Sequence, residues 1–393
     1  MPAATPADLL AATSRLPAPV GIIDEPTLWS NADDLVRRAA GVPVRVATKS
    51  VRVRSIIEQA LARDGFAGVM SYSLAESLWL AEHGVSDILL AYPTTDADSL
   101  RALAADDRAR AAITLMIDST EHLDLIDRLV GGAHPPLRVC LDVDASLRIG
   151  ALGLTVAHLG VRRSPVRSPR QAREVARSIE VRSGFDLVGV MFYDAQIAGL
   201  PDSSPAVRLV KKRSNAELHR RRSRVVAAVR EHADLELVNA GGTGSLEVTG
   251  SDPAVTELTA GSGLFSPTLF DAYDAFESHP AAYFALDVSR RPARDVATLF
   301  AGGYTASGAA QANRMPTPVW PEGLSLIGTE GVGEVQTPVK GKAARTLRIG
   351  DRVLMRHAKA GEMCERFDSV ALVDAAGDVE LLPTYRGEQK NFG

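Results

Sequence analysis

From Val44 onward the chain alternates short apolar, β-branched runs with stretches of helical periodicity, and the alternation repeats eight times before residue 280. The spacing predicts strands at 44–47, 67–70, 87–91, 112–116, 137–142, 186–192, 235–239 and 255–260. It predicts helices at 52–63, 74–83, 96–106, 119–130, 169–182, 204–232 and 267–277, and a short helix start near 244. Strands that carry Val, Ile and Leu almost without interruption are covered on both faces, as parallel sheets require. Eight such units in roughly 240 residues are the arithmetic of a closed (β/α)8 TIM barrel, with an open doubly wound sheet as the alternative.

After residue 280 the rhythm changes to short apolar segments separated by Gly, Pro and Asp. Strands are expected at 284–288, 295–300, 331–337, 351–355, 369–374 and 379–382, with Asp374-Ala375-Ala376-Gly377 as a hairpin connection. A C-terminal, mainly-β domain follows the barrel. The expected division is 20–280 for the barrel and 1–19 with 281–393 for the β domain, and strand 20–24, outside the count of eight, is expected to join the latter. Of 393 residues, 46% are hydrophobic and 23% charged, and the net charge is −4, so neither a nucleic-acid nor an anionic-membrane partner is indicated. The basic run Arg208 to Arg224 reads as a solvated helix face. Two cysteines far apart, Cys140 and Cys364, suit a reducing compartment. With no signal-peptide layout and no 18-residue apolar run, the chain is expected to be soluble and cytoplasmic.

Chemistry in such barrels sits at the carboxyl ends of strands. The first strand, Val44-Arg45-Val46-Ala47, delivers Lys49 there. Strands on either side are expected to desolvate its ammonium partly, which frees the amine as a nucleophile toward an aldehyde. Asn239-Ala240-Gly241-Gly242-Thr243-Gly244-Ser245 follows the seventh strand and Ala260-Gly261-Ser262-Gly263 the eighth. Glycines let backbone amides approach an anion closely, and hydroxyls add donors. Gly241, Gly242, Thr243, Gly261, Ser262 and Gly263 are therefore candidate phosphate-binding residues. A phosphate cradle and a strand-one lysine on one barrel face point to pyridoxal 5'-phosphate.

On these residues the chain resembles the fold-type III pyridoxal-phosphate enzymes of the alanine-racemase-like superfamily, and within it the D-threonine aldolase and D-serine dehydratase branch. The resemblance covers barrel, β domain and their order. It implies that Lys49 is the cofactor lysine and that Arg148, in Leu141-Asp142-Val143-Asp144-Ala145-Ser146-Leu147-Arg148-Ile149-Gly150, lies near the cofactor's phenolic oxygen. It implies too that Tyr193, in Gly189-Val190-Met191-Phe192-Tyr193-Asp194, approaches the pyridine ring. A homodimer acting on a small amino-acid substrate is also implied.

Two departures from the resemblance bear on chemistry. The related aldolases and dehydratases carry a metal pair written His-x-Asp or His-x-Cys, whereas this chain has Arg356-His357-Ala358-Lys359. An ammonium is no metal ligand, so no divalent metal is expected unless Glu362 or Cys364 replaces the missing partner. The second departure is Gly263, where the family often has a tyrosine. The resemblance implies an enzyme in which Lys49 is catalytic, a lyase cleaving Cα–Cβ of D-β-hydroxy amino acids; His357, and Lys359 if burial lowers its pKa, are the candidates for the base on the other face of Cα. An amino-acid racemase or a D-serine dehydratase-like deaminase is the alternative. A pyridoxal-phosphate homeostasis protein, a single barrel with the same lysine, is an alternative of another class, and the β domain argues against it.

Overall fold

In the computed structural model, which describes residues 4–151, 154–309 and 311–393, the chain forms two compact units. Residues 1–3, 152–153 and 310 of the expected domains lie outside the described residues. One unit comprises 35–48 and 60–260 with the last two residues, and the other 1–34, 49–59 and 261–391.

The first unit is a closed eight-stranded parallel barrel. Its strands are β1 (Val44–Ala47), β2 (Phe66–Ser71), β3 (Ile88–Leu90), β4 (Ile113–Ile117), β5 (Leu137–Asp142), β6 (Phe185–Phe192), β7 (Leu237–Ala240) and β8 (Glu257–Ala260). They run in sequence order around the barrel, and β8 closes on β1 with Leu258 opposite Val44 and Ala260 opposite Val46. Leu89, Met116, Cys140, Met191 and Leu237 pack together, one from each of five strands. The barrel expected from the βα rhythm is present. Helix starts follow their chemistry: Ser168 and Gln171 form a capping box ahead of Pro169–Glu180, and Ser204 caps Pro205–Arg230.

A buried ionic network replaces apolar packing at one level of the barrel. Arg45 on β1, 2% exposed, donates to Glu257 (2.6 and 2.8 Å) and Asp87 (2.8 and 3.1 Å), and Asn239 donates to Glu257 at 2.8 Å. Burial alone would depress the arginine, but these carboxylates hold its pKa above the ordinary value.

Two features of the barrel differ from the expectation. A hairpin, Leu147–Ala151 paired antiparallel with Leu154–Leu159, is inserted after β5 and carries Arg148 opposite His158. The basic helix Pro205–Arg230 is not a wholly solvated face either. Arg222 is 1% exposed and paired with Asp252, and Arg221 donates to the carbonyls of Asp144 (2.6 Å) and Ser146 (3.3 Å).

The second unit holds a nine-stranded mixed sheet. Strand Ala282–Ala293 is its centre, antiparallel to Val20–Asp24, Val296–Phe300 and Arg352–Arg356. Val20–Asp24 also runs parallel to Ser369–Val373, which turns through Asp374 to Asp378 into Val379–Pro383. Strand 20–24 thus belongs to the sheet, as expected of a strand outside the count of eight. Leu9, Ile22, Ala285, Leu354 and Ala371 form the core of this sheet. Full burial of each larger side chain there contributes about 1.5–3 kcal/mol.

The strand expected at 331–337 lies instead at Gln336–Gly341, paired with the unpredicted strand Leu324–Leu326, and a second unpredicted strand, Thr317–Trp320, pairs with Arg352–Arg356. The helix expected at 267–277 is reduced to a 3-10 turn, Thr268–Ala272. Its first amides are already engaged, because Thr268 N donates to the His357 carbonyl (3.1 Å) and Leu269 N to that of Ala358 (3.2 Å).

Candidate active site

Chain continuity puts Lys49, Tyr193, Gly241 and Gly261 just past the carboxyl ends of β1, β6, β7 and β8. Lys49 occupies the 3-10 turn Thr48–Ser50. Thr48 and Ser50 are buried there while Lys49 is exposed, which corrects the expectation of a partly desolvated amine. Beyond the strand the lysine is no longer flanked by neighbours in the sheet. Thr48 anchors the turn by donating its hydroxyl to the Met70 carbonyl of β2 (3.1 Å).

The turn after β7 is built for a close approach. Gly241 has φ +83°, and a Cβ there would meet Leu258 Cδ2 at 3.0 Å. On Gly242 a Cβ would meet that of Ala198 at 2.8 Å. Neither position tolerates a side chain without movement. Thr243, Gly244 and Ser245 are buried in the 3-10 turn that follows. Arg38, also buried, donates to the Thr243 carbonyl (2.6 Å) and to Glu247 (2.5 and 3.1 Å).

Beneath the turn, Asp194 accepts from Thr249 Oγ1 (2.7 Å) and Ser245 Oγ (3.4 Å). Burial raises its pKa, against the opposing charge of Arg222. Asp194 and Arg38 went unnoticed in the sequence because their partners lie 51 or more residues away. Gly261 caps the short helix Ser262–Phe265, in which Gly263 is buried.

Arg148 and Tyr193 occupy different surroundings. Arg148, on the inserted hairpin, is exposed and donates to Asp144 at 2.6 Å. Tyr193 is half-buried, and the cation above its ring is Arg163, whose Cζ lies 4.7 Å from the ring centroid. The same guanidinium lies 5.3 Å from the centroid of Tyr92, past β3. Asp142, at the end of β5, is pushed up to about 7 by burial, with Arg163 opposing and Asp118 and Asp144 reinforcing the shift. Arg163 was not singled out in the sequence; the only signal was the Arg162-Arg163 pair itself.

In the β unit, the segment that carries His357 and Lys359 meets the backbone of the lysine turn at Gly361. Gly361, with φ +92°, packs on the Lys49 carbonyl, Glu365 pairs with Arg52, and Tyr385 N donates to the Arg52 carbonyl (2.9 Å). The segment after strand Arg352–Arg356 is thereby keyed to the lysine turn. His357 is 3% exposed and sits edge-on to Phe265. Its Nδ1 faces the Ala282 carbonyl at 3.2 Å, which assigns the proton to Nδ1, and the buried Nε2 has no hydrogen-bond partner. Burial and the neighbouring Arg356 charge lower its pKa to about 3, so the ring is neutral with an acceptor lone pair at Nε2. Lys359 Nζ donates to Ser307 Oγ (3.1 Å), and Ser307 N donates to Glu362 Oε2 (2.7 Å).

In the barrel unit, the glycine turn after β7, which any Cβ would fill, with its buried hydroxyls and the Tyr193 ring suits the phosphate and ring of a phosphorylated aldehyde cofactor; in the β unit, Lys49 offers an exposed amine. These residues do not fit a divalent cation. No group of three His, Cys, Asp or Glu occurs among the described residues, and the histidine lone pair stands two residues from an ammonium.

Comparison with known proteins agrees with the fold. No curated protein matches the chain significantly. D-threonine aldolase from Filomicrobium marinum has a similar structure, with TM-score 0.77 and 18% identity over 95% of this chain and 96% of that one. D-threo-3-hydroxyaspartate dehydratase from Delftia sp. HT23 gives TM-score 0.71 and 18% identity over 94% and 98% of the two chains. Alanine racemase of Clostridium difficile 630 gives TM-score 0.62 and 12% identity over 94% and 100%. The profile of the alanine racemase N-terminal domain matches residues 23–267, and with that the chain belongs to the alanine racemase N-terminal domain family, whose members depend on pyridoxal phosphate.

Proposed function

We propose that the protein is a pyridoxal-phosphate-dependent lyase that cleaves the Cα–Cβ bond of D-β-hydroxy amino acids without a divalent metal. The observation that carries this reading is the neutral His357, whose buried, unpartnered Nε2 lies on the segment keyed to the Lys49 turn by Gly361. The cofactor, when bound, supplies an electron sink for the bond broken at Cα. Lys49 is the residue that holds it, and the Gly241–Ser245 turn with Gly261, Ser262 and Gly263 receives its phosphate. Nε2 of His357 accepts the hydrogen of the substrate's β-hydroxyl. The Lys359 ammonium donates to the oxygen of that hydroxyl and stabilises the charge that develops there.

Supporting structures include an aldolase and a dehydratase acting on D-configured substrates. Like the related enzymes it resembles, the protein is proposed to work as a homodimer. Incubating the purified holoenzyme with D-threonine tests the reading. Glycine and acetaldehyde are expected; inversion at Cα would establish a racemase, and ammonia with an oxo acid a dehydratase.

A further inference from the structure

Arg163 is held in an arrangement that the reaction above does not use. Its guanidinium lies over the rings of Tyr92 and Tyr193, 5.3 and 4.7 Å from their centroids. Those tyrosines follow β3 and β6, so the guanidinium stands past the carboxyl ends of barrel strands. Stacking engages the faces of a guanidinium and leaves its N–H donors, which lie in the plane, available to an acceptor. Among the described residues Arg163 forms no ion pair. The nearby Asp142 carboxyl titrates at about 7 and so offsets only part of its charge at neutral pH.

Arg148 differs, because its partner Asp144 already accepts from it at 2.6 Å and lies 3.8 Å from Arg167. Arg163 also borders an open cleft of about 490 Å³, lined in addition by Asp144, Arg148, His158 and Arg162. Three arginines face one carboxylate in that cleft, an excess of positive charge suited to an anion.

We propose that Arg163, whose guanidinium lies over the rings of Tyr92 and Tyr193, is the anchor for a carboxylate of the amino-acid substrate. The inference rests on the amino-acid reading given above. A planar guanidinium held by its faces can meet a carboxylate with two parallel N–H···O bonds, which fixes the orientation of the substrate as well as its affinity. The carboxylate is either the one on Cα or a second one on the side chain, and both present the same chemistry to Arg163.

The test is titration of the holoenzyme's cofactor absorbance with D-serine, which has one carboxylate, and with D-aspartate, which has two. It is run on the wild type and on Arg163→Gln and Arg163→Lys. The expected result is an unchanged resting spectrum in all variants and binding weakened roughly tenfold to a hundredfold in Arg163→Gln, the loss expected when a charged hydrogen-bond donor is removed. Arg163→Lys is expected to keep part of the affinity. Weakening toward both amino acids assigns the Cα carboxylate, and weakening toward D-aspartate alone assigns the side-chain one. The proposal is overturned if Arg163→Gln binds both like the wild type, or if it changes the resting spectrum and leaves affinity untouched. A wild-type holoenzyme that responds to neither amino acid would overturn the amino-acid reading itself, and the proposal with it.

Discussion

Gly361 lies so close to Lys49 that a Cβ built on the glycine would stand 1.9 Å from the lysine's carbonyl oxygen. Its φ of +92° is a second reason why only glycine is accommodated. Gly361→Ala is therefore expected to push apart the lysine turn and the segment bearing His357 and Lys359. The backbone strain costs about 1 kcal/mol, and relief of the overlap adds to it. Turnover should fall by about tenfold or more while the cofactor absorbance persists, and steady-state kinetics beside the absorption spectrum check this.

The glycine turn after β7 rests on Asp194, which accepts from Thr249 and Ser245. Asp194→Ala leaves two hydroxyls short of their acceptor in a buried place, a cost of about 1–3 kcal/mol. The variant is expected to bind pyridoxal phosphate more weakly than the wild type. Asp194→Asn, which keeps one acceptor oxygen, should fall between them. Equilibrium dialysis of the cofactor measures the order.

How far the sequence could be read depends on how local the causes are. The barrel was legible because each strand and helix carries its own periodicity, and Lys49 because one short strand points to it. The 3-10 turn at Thr268–Ala272 was not, since the carbonyls of His357 and Ala358 that hold its first amides lie 89 positions on in the sequence. The same distance hid Arg38 and Asp194 under the glycine turn. The hairpin bearing Arg148 reads as a continuation of an acidic strand motif, so Arg163, rather than Arg148, as the cation over Tyr193 could not be inferred. Exposure of Lys49 depends on a turn of three residues in which burial alternates, a detail below the resolution of a hydrophobic pattern.

Asp142 and His357 give stability two opposed limbs with pH. The folded pKa of Asp142 is raised to about 7, so between about 4 and 7 the folded state keeps a proton that the unfolded state has lost. Its contribution is full at low pH and is lost as pH rises through 7, by at most about 4 kcal/mol. His357 is lowered from 6.5 to about 3, so its contribution is present above 6.5 and is lost as pH falls toward 3. Asp142→Asn is expected to flatten the decline toward pH 8, and His357→Gln to flatten the decline on the acid side. Urea unfolding at a series of pH values from 4 to 8 reads both. A decline toward pH 8 that is unchanged in Asp142→Asn would count against the shifted carboxyl.

The proposed independence from metal is checked by chelation. Activity should survive prolonged treatment with EDTA, and elemental analysis of the purified enzyme should find no stoichiometric zinc or manganese. At about 4 Å and an effective dielectric of about 20, the Lys359 charge would oppose a divalent ion by roughly 8 kcal/mol. Lys359→Cys removes that charge and adds a ligand two residues from His357, and is expected to take up cobalt with visible d–d absorption. A wild type that loses activity on chelation and regains it with manganese or zinc would contradict the account.

Lys49 is the residue on which everything else depends. Reducing the purified holoenzyme with borohydride, digesting it and sequencing the fluorescent peptide by mass spectrometry locates the attachment directly. The account predicts one reduced pyridoxal-phosphate adduct per chain, on Lys49, and none in Lys49→Ala. An adduct on another lysine, or one that persists in Lys49→Ala, would contradict it.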